Sequence, residues 1–280
     1  MKTKKIKKQS RNTVRILVAG AAGRMGRSIL NLAYRDPEIQ IAGAFERAES
    51  PMIGRDVSEL IGAPSLNVPV HPDLRECIQL GNVIIDFTQP EAVPYHLDIA
   101  LKTKRAMVIG TTGLSEAFIG KLYAASKKIP IVQAPNMSVG VNLLFRLAEL
   151  VGSSLDERYD VEIVEEHHKH KKDAPSGTAL ELARMIAKGR KIDLETHALY
   201  GRKGLTGERK KGSIGIHAVR GGDVVGNHQV SFMNDGERIE LVHKASSRDA
   251  FASGALYAAK FVAKQKVGFY NMQDVLGLKK

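Results

Sequence analysis

The residues of this chain that are best suited to chemistry lie together in the stretch Glu165–Thr178. Three histidines, His167, His168 and His170, stand there among lysines and carboxylates. Histidine can donate a proton near neutral pH, and Lys171, four residues after His167, can fix an anionic group and help keep the acidity of the histidine in range. The stretch is therefore predicted to hold and protonate an anion.

A metal site and a solvated polar loop are two other readings of the same stretch. The histidines could bind a cation together with the carboxylates of Glu165, Glu166 and Asp173. Lysines around them, Lys169 and Lys172 among them, argue against this, because ammonium groups a few ångströms away raise the free energy of a bound cation. A solvated loop would explain the charges but not the proline, serine and glycine that follow. We therefore predict no metal here.

A strand and a helix must position this stretch. Alternating apolar residues before it predict the end of a strand, and Ser176 after it is a good N-cap. The apolar face of the predicted helix consists of Ala179, Leu182, Ala183, Ile186 and Ala187. Gly189 is predicted to end that helix. The N–H groups of the first turn, with Gly177 and the hydroxyls of Ser176 and Thr178, could clasp a carboxylate.

A glycine turn earlier in the chain predicts a second ligand site. Gly20, Gly23 and Gly26 follow the apolar strand pattern Val14–Ala19 and open a helix. The glycines stand at positions one, four and seven, rather than at the commoner one, three and six. Such a turn still lets the backbone approach a pyrophosphate at the helix N-terminus, where Arg24 can add a charged hydrogen bond. A dinucleotide is predicted here; a plain strand-to-helix turn is the alternative.

The two residues after the second strand pattern, Ile39–Phe45, concern the choice of dinucleotide. Glu46 stands where an acidic residue would accept from the adenosine ribose hydroxyls. Arg47 comes next and could accommodate a 2′-phosphate. Both NADH and NADPH therefore remain open.

Further strand patterns at Val83–Phe87, Met107–Ile109 and Ile131–Val132 alternate with helical segments. This alternation predicts the α/β class, with a Rossmann-type, doubly wound parallel sheet. Ligands of such sheets bind beyond the carboxyl ends of the strands. The loops there, at Gly110–Gly113 and Ala134–Met137, are predicted to border the nicotinamide half of the dinucleotide.

The chain changes character after Asn136. The region to about Lys244 is predicted to be a mixed α+β domain, with strands at Gly215–Arg220, Asn227–Met233 and Arg238–His243. A helix pattern over Arg248–Val262 is expected to pack on the first domain. The predicted divisions are a disordered basic tail at 1–12, a dinucleotide-binding domain at 13–137 and 247–280, and a substrate-binding and oligomerisation domain at 138–246.

Composition restricts the class of protein. The chain has 280 residues and a formal net charge of +12, six charges of which come from the tail. Contact of that tail with nucleic acid is a weaker alternative to disorder. No apolar run reaches the roughly 18 residues that span a bilayer, so no membrane association is expected. The only cysteine, Cys77, is expected in the core, which fits a cytoplasmic location.

These segments resemble the 4-hydroxy-tetrahydrodipicolinate reductase family, the enzymes of the diaminopimelate and lysine pathway. The similarity rests on Glu162–Ala179 nearly end to end and on Gly20–Gly26, and it spans about Val14–Leu278. Gly110–Gly113, Asn136–Asn142 and Lys244–Arg248 also resemble family segments in the same order. The resemblance implies reduction of the cyclic, imine-like substrate by NADH or NADPH, with loss of its 4-hydroxyl as water. It also implies a homotetramer, and domains that close about hinges near 136–140 and 246–248.

The resemblance implies roles residue by residue. His167 would be the proton donor and Lys171 its catalytic partner. The small dicarboxylate substrate would contact His168, Gly177 and Thr178, to which the helix-start argument adds Ser176. The cofactor would be held by Gly20, Ala21, Ala22, Gly23, Arg24, Met25, Glu46, Arg47, Gly110, Thr111, Thr112, Ala134, Pro135, Asn136 and Met137. Gln89 departs from relatives that carry a basic residue after the Phe-Thr pair.

Two other functions stay open at this point. One is another two-domain dehydrogenase of an amino-acid pathway; a semialdehyde dehydrogenase would need a cysteine nucleophile, and Cys77 precedes a predicted strand rather than following one. The other is a regulator that senses NAD(P)H and binds nucleic acid through the basic tail. The sequence shows no helix-turn-helix and no aromatic stacking platform, so no nucleic-acid partner is predicted.

Overall fold

The computed structural model describes residues 13–279. The predicted basic tail, residues 1–12, lies outside the described residues. The described chain forms two compact units: the first runs to Met137 and resumes over Phe251–Gly277, and the second is Ser138–Ala250 with the last described residues. The binding roles predicted for these two parts stay predictions.

The strands, in chain order, are β1 (Val14–Ala19), β2 (Ile39–Phe45), β3 (Val70–His71), β4 (Val83–Asp86), β5 (Ala106–Ile109), β6 (Pro130–Gln133), β7 (Asp160–His167), β8 (Ala198–Tyr200), β9 (Ile214–Arg220), β10 (Gly226–Asn234), β11 (Glu237–Ala245) and β12 (Gly268–Tyr270). The helices are α1 (Arg24–Arg35), α2 (Ser58–Ile61), α3 (Leu74–Cys77), α4 (Val93–Thr103), α5 (Glu116–Ala125), α6 (Val139–Ser154), α7 (Gly177–Arg190), α8 (Leu194–His197), α9 (Asp249–Val262) and α10 (Met272–Val275), with a 3-10 turn at Ile78–Leu80.

The sheet of the first unit is parallel throughout its described strands, in the order β12-β6-β5-β4-β1-β2-β3. Both of its faces are covered, because alternate residues of β1 enter two different cores: Ile16 and Val18 one, Leu17 and Ala19 the other. The order reverses between β1 and β4, which is the switch point of a doubly wound fold. The predicted fold class is confirmed.

Helix α9 packs in the first unit, as the sequence predicts, with Ala255 and Ala259 in the core that holds Val18. Cys77 is fully buried at the end of α3, and burial raises its pKa to about 12. The expectation of a core cysteine is therefore confirmed. A buried thiol with a raised pKa is also unreactive.

The second unit has a mixed sheet, in the order β11-β10-β7-β9-β8 within the described residues. Strand β7 lies at its centre, antiparallel to β10 and parallel to β9. Helices α6 and α7 pack on this sheet through a core that includes Ile163, Ala183 and Phe232. The unit thus presents the end of β7 beside the start of α7.

One predicted helix end is wrong. Helix α7 does not stop at Gly189 but continues to Arg190, and Lys191 caps it in the left-handed conformation with φ 57°. Gly189 is instead needed for packing, because a Cβ there would lie 2.4 Å from the carbonyl oxygen of Glu149 in α6. The glycine marks a close helix crossing rather than a helix terminus.

Candidate active site

One face of the second unit's sheet changes from apolar to ionisable along β7. Val161 and Ile163 are buried in the core, and Glu165 and His167 follow on the same face because side chains of a strand alternate. The neighbouring strands add to this face by their register: His228 of β10 stands opposite Glu165, and Arg220 of β9 stands opposite His167. Four ionisable side chains therefore meet where β7 ends.

Glu165 is the centre of this cluster. Its side chain is fully buried, and Arg220 donates to both carboxylate oxygens, at 2.8 Å to Oε2 and 2.7 Å to Oε1. The backbone N–H of Ser176 also donates to Oε1, at 2.9 Å. Burial alone would raise the pKa of Glu165, but the hydrogen bonds that it accepts outweigh burial and lower that pKa. The carboxylate is therefore ionised at neutral pH.

The imidazole of His167 lies next to that carboxylate, with Nδ1 2.6 Å from Glu165 Oε2 and 11% of the side chain exposed. Burial is the largest influence on this histidine and lowers its pKa; Glu165 opposes the shift, while Lys171 and Arg220 add to it. A histidine of this kind is neutral in the ligand-free site and a stronger acid once protonated. An anionic ligand beside it would favour the protonated form.

His228 is the nearest aromatic neighbour of His167, in an edge-to-face arrangement with the ring centroids 5.2 Å apart. Its Nε2 lies 3.3 Å from the Ser176 hydroxyl. Burial, and then the nearby His167, lower the pKa of His228 to about 4. His228 is therefore neutral at physiological pH. The histidine that contacts Glu165 is His167.

The predicted helix-start residues are where the sequence places them. Ser176 is the N-cap of α7, and its hydroxyl accepts from the backbone N–H of Ala179 at 3.2 Å. Gly177 and Thr178 form the first turn, and Gly177 is exposed with open space where a Cβ would be. The first-turn N–H groups of a helix have no partners within the helix, so this terminus suits a carboxylate.

His168 and Lys171 lie in the segment between β7 and α7. The backbone N–H of His168 donates to Val224 at 2.8 Å, which ties the segment to the turn after β9. The Lys171 ammonium lies 2.9 Å from the carboxylate of Asp173 and exposes 20% of its side chain. Arg220, which holds Glu165, also donates to the Asp173 carbonyl at 2.7 Å. Because Asp173 contacts Lys171, and Glu165 contacts both His167 and Ser176, these three predicted residues lie in one region.

The glycine turn of the first unit lies at the carboxyl end of β1. Gly20 has φ +62°, which favours glycine, and a Cβ on Gly26 would lie 2.2 Å from the Gly20 carbonyl oxygen. Glycine at both positions lets α1 start close against the turn, with Gly23 as its N-cap and Arg24 and Met25 as its first residues. This geometry fits a pyrophosphate at the helix N-terminus.

Glu46 follows β2 and contacts the same turn. Its Oε1 accepts from the backbone N–H of Ala22 at 2.8 Å, and Arg47 beside it is exposed. The carboxylate therefore lies at the edge of the predicted cofactor site. Its second oxygen, Oε2, accepts from the Arg47 N–H at 3.3 Å and keeps a lone pair with which to accept from a ribose hydroxyl.

The loops after β4, β5 and β6 lie at the same carboxyl edge, because these strands run parallel to β1 in one sheet. Thr111 is buried and its hydroxyl donates to the Thr88 carbonyl at 2.9 Å, which joins two of these loops. A Cβ on Gly110 would lie 2.1 Å from the Phe87 ring, so only glycine fits there.

The remaining predicted cofactor residues differ in accessibility. Thr112 and Pro135 are exposed, and Ala134 is buried. Asn136 is half-buried, and Met137 belongs to the core that holds α9. The side chain of Met137 is thus used for packing, and its carbonyl group lies against Gly254 of α9, where a Cβ would overlap it.

Within residues 13–279, no three histidine, cysteine or carboxylate side chains are grouped so as to hold a metal ion. In the same part of the chain, no helix is long and apolar enough to cross a membrane.

Three residues of the second-unit cluster were not predicted in the roles that their contacts give them: Glu165, Arg220 and His228. In the sequence alone, Glu165 stands out only as a possible metal ligand. Glu165 and His167 are two residues apart in a strand pattern, so their side chains are expected on the same face of the sheet; this spacing could have predicted their contact. Arg220 and His228 come from other strands, and only the sheet register brings them to the site.

Comparisons with known proteins cover both units. Residues 14–137 match the family described as dihydrodipicolinate reductase, N-terminus, and residues 140–276 match dihydrodipicolinate reductase, C-terminus. The 4-hydroxy-tetrahydrodipicolinate reductase of Nitrosospira multiformis is 48% identical over 268 residues, which cover 96% of this chain and 99% of that protein. That of Syntrophus aciditrophicus is 46% identical, with 95% and 99% covered.

Among solved structures, a dipicolinate-bound dihydrodipicolinate reductase from Paenisporosarcina sp. TG-14 is similar at a TM-score of 0.74 and 26% identity. The match covers 94% of this chain and 98% of that one. An amine dehydrogenase from Mycobacterium smegmatis, at a TM-score of 0.60 and 13% identity, shares the fold.

Proposed function

The chain belongs to the dihydrodipicolinate reductase family, and from this premise we propose that it reduces 4-hydroxy-tetrahydrodipicolinate to tetrahydrodipicolinate with loss of water. It is an oxidoreductase of the diaminopimelate and lysine pathway that depends on a pyridine nucleotide. The observation that carries the finer proposal is the contact of His167 Nδ1 with the buried, ionised Glu165. This contact orders a proton-donating imidazole at the end of β7.

His167 is the proposed proton donor. Its Nδ1 is engaged by Glu165, so Nε2 is the atom that can hand a proton to a bound ring. A ring imine accepts hydride more readily as it gains a proton, and general acid catalysis of this kind contributes on the order of 10²–10⁴-fold. The lowered pKa of His167 makes the protonated ring a stronger donor.

The substrate carries two carboxylates, and the site offers cationic and N–H groups for them. Lys171 and His168 from the segment after β7 are proposed to contact it. The first turn of α7, with Ser176, Gly177 and Thr178, is proposed to hold one carboxylate through its N–H groups and dipole. The dipicolinate bound in the Paenisporosarcina relative is likewise a six-membered nitrogen ring with two carboxylates, which supports a dicarboxylate substrate for this chain.

The glycine turn, residues 20–25, is proposed to hold the dinucleotide pyrophosphate, and Glu46 and Arg47 the adenosine ribose. The loops at 110–112 and 134–137 are proposed to border the nicotinamide. When bound, the dinucleotide supplies the hydride. The chain's own loops orient it at the carboxyl edge of the sheet and exclude water there. Both NADH and NADPH remain open as the cofactor. The homotetramer and the cytoplasmic location remain predictions.

The test is the oxidation of NADH and of NADPH by the purified protein with freshly prepared substrate. We expect turnover with at least one cofactor and inhibition by pyridine-2,6-dicarboxylate that competes with the substrate. A gel-shift titration with duplex DNA, at low and at moderate salt, examines the nucleic-acid-binding alternative in parallel. No oxidation of either cofactor by protein that binds both ligands would overturn the proposal.

A further inference from the structure

The hydrogen bonds around His167 determine which of its ring nitrogens is available. An ionised carboxylate has no proton to donate, so the 2.6 Å contact with Glu165 Oε2 requires a hydrogen on His167 Nδ1. The neutral ring is then the Nδ1–H tautomer, with an unprotonated Nε2. On protonation, the second proton goes to Nε2.

Arg220 holds the Glu165 carboxylate in place, and that carboxylate in turn orients the His167 ring. Its two terminal nitrogens donate to the two oxygens of Glu165, and the Ser176 N–H donates to one of them. A bidentate arginine holds the plane of a carboxylate as well as its place. Since Glu165 is fully buried, no water competes for these bonds. The carboxylate therefore has one orientation towards His167.

Gly226, the first residue of β10, leaves space at the other nitrogen. A Cβ on Gly226 would lie 3.1 Å from His167 Nε2 and 3.5 Å from its Cδ2. Gly226 is not among the glycines with a positive φ, so its backbone does not demand glycine. The absence of a side chain at Gly226 therefore leaves space next to His167 Nε2, and it is not required by the backbone conformation.

We propose that Glu165, clamped by Arg220, is a positioning residue that holds the Nδ1–H of His167 and makes Nε2 the single proton-donating atom, with Gly226 keeping that atom accessible. This inference rests on the proposed function, because it states how the proton donor is oriented. In the step, the N–H bond at Nε2 breaks, its electron pair stays on the imidazole, and the proton passes to the substrate. The Nδ1–H bond stays intact throughout.

The charged groups that face His167 determine the sign of the expected pH effects. Glu165 on β7 raises the pKa of His167, whereas Lys171 in the following segment and Arg220 on β9 lower it. His228 on β10 is neutral near pH 7, because burial lowers its pKa to about 4. Removing the Glu165 charge must lower the pKa of His167 further, and removing the Arg220 charge must raise it.

The first measurement is the dependence of kcat on pH. Turnover requires protonated His167, so it is lost as pH rises through the pKa of that residue. For Glu165→Gln we expect this alkaline limb to move to lower pH and kcat to fall at least about tenfold, with a smaller change in KM. For Arg220→Gln we expect the limb to move to higher pH. This opposite direction is not expected of mere destabilisation.

Glu162→Gln is the matched control. Glu162 is on the same strand, and its carboxylate is likewise held by two arginines, Arg202 and Arg209, and a histidine, His217. It lies on the opposite face of β7 and does not contact His167. We expect a loss of stability there without movement of the alkaline limb. A limb that moves equally in Glu162→Gln and Glu165→Gln would overturn the positioning role.

The second measurement determines the tautomer of His167 directly, in the absence of substrate. Nitrogen-15 NMR of the protein above the pKa of His167 should show the Nδ1–H tautomer, and Glu165→Gln should lose that preference. Gly226→Ala should keep the tautomer but lower kcat, because its methyl group covers Nε2. A native Nε2–H tautomer would refute the inference even if the protein is a reductase; the expected tautomer without turnover would refute only the proposed function.

Discussion

Two glutamates on β7 show how neighbours decide what a carboxylate does. Glu162 and Glu165 are three positions apart and face opposite sides of the sheet. Arginines and a histidine lower the pKa of Glu162 to about 2, and it joins the segment after β8 to the sheet. Glu165 receives a similar set of partners, but its side chain is fully buried, and it also accepts from the backbone N–H of Ser176 at the start of α7. The same residue type thus joins two segments of the unit at one position and belongs to the proposed site at the other.

The first residue-level prediction separates acid catalysis from substrate binding. His167→Ala removes the proposed donor, so kcat should fall on the order of 10²–10⁴-fold while cofactor affinity changes little. Lys171→Ala should lower kcat and also raise KM by about 10- to 100-fold, because a hydrogen bond to a charged group contributes about 1.5–3 kcal/mol. Steady-state kinetics with calorimetric titration of the cofactor measure both. Kinetics unchanged from the native enzyme would remove the role assigned to that residue.

The second residue-level prediction concerns the choice of cofactor. Glu46→Ala should weaken NADH more than NADPH, since it removes a ribose partner and a negative charge near a 2′-phosphate. Arg47→Ala should do the reverse, with a difference of about tenfold for roughly 1.4 kcal/mol. Calorimetric titration with each cofactor checks this.

Glu46 also accepts from the Ala22 N–H, so its removal should cost some affinity for both cofactors. Glu46→Gln is the control, because it keeps the shape and an acceptor oxygen while it removes the charge. Equal losses for the two cofactors in every variant would contradict the assignment.

Local spacing in the sequence was enough to predict His167, Lys171 and Ser176 as neighbours, because they flank one strand-to-helix connection. It was not enough for Arg220 and His228. Their places depend on β9 running parallel and β10 antiparallel to β7, and on the register of each pair. Register comes from packing over the whole sheet, which no short stretch of the sequence contains.

At the scale of elements, the crossing of α6 and α7 explains why a helix end could be misjudged. Gly152 and Gly189 both lie at this crossing, where a Cβ would approach the backbone of the other helix to 3.0 and 2.4 Å. A glycine near the end of an apolar pattern predicts a helix terminus when only the chain's own backbone is considered. Close approach of a second helix is the other reason for glycine, and it depends on a segment that the sequence reading did not assign.

The element-level prediction compares two helical glycines. Gly189→Ala should lower the free energy of unfolding by about 1–3 kcal/mol, because the added methyl group overlaps the α6 backbone. Gly120→Ala in α5 is the control: among the described residues, no atom beyond its chain neighbours and its own helix backbone lies within 4 Å of its would-be Cβ, so alanine should stabilise by roughly 0.5–1 kcal/mol. Urea unfolding followed by circular dichroism measures both changes. Destabilisation of similar size in the two variants would mean that the crossing is not what constrains Gly189.

At the scale of the whole molecule, the parallel sheet could be predicted well, because its strands are continuous apolar runs between helices. The short strand β12 and the helix α6 were not assigned, since one is three residues long and the other opens with Val139, Gly140 and Val141, which are poor helix formers. The compact units change over between Met137 and Ser138 and again between Ala250 and Phe251. The proposed cofactor residues fall in the first unit and the proposed substrate residues in the second.

This distribution leads to the last prediction. Hydride transfer needs the reacting atoms about 3–3.5 Å apart, and we propose that closure of the two units brings their ligands to that distance. We expect small-angle scattering to show a smaller radius of gyration with cofactor and pyridine-2,6-dicarboxylate together than with either alone, since closure also excludes water. Lys171→Ala is the control: with diacid binding weakened, the same concentrations should leave the radius nearer to that of the cofactor complex. If calorimetry shows both ligands bound to the native protein and the radius does not change, the units do not close on their ligands.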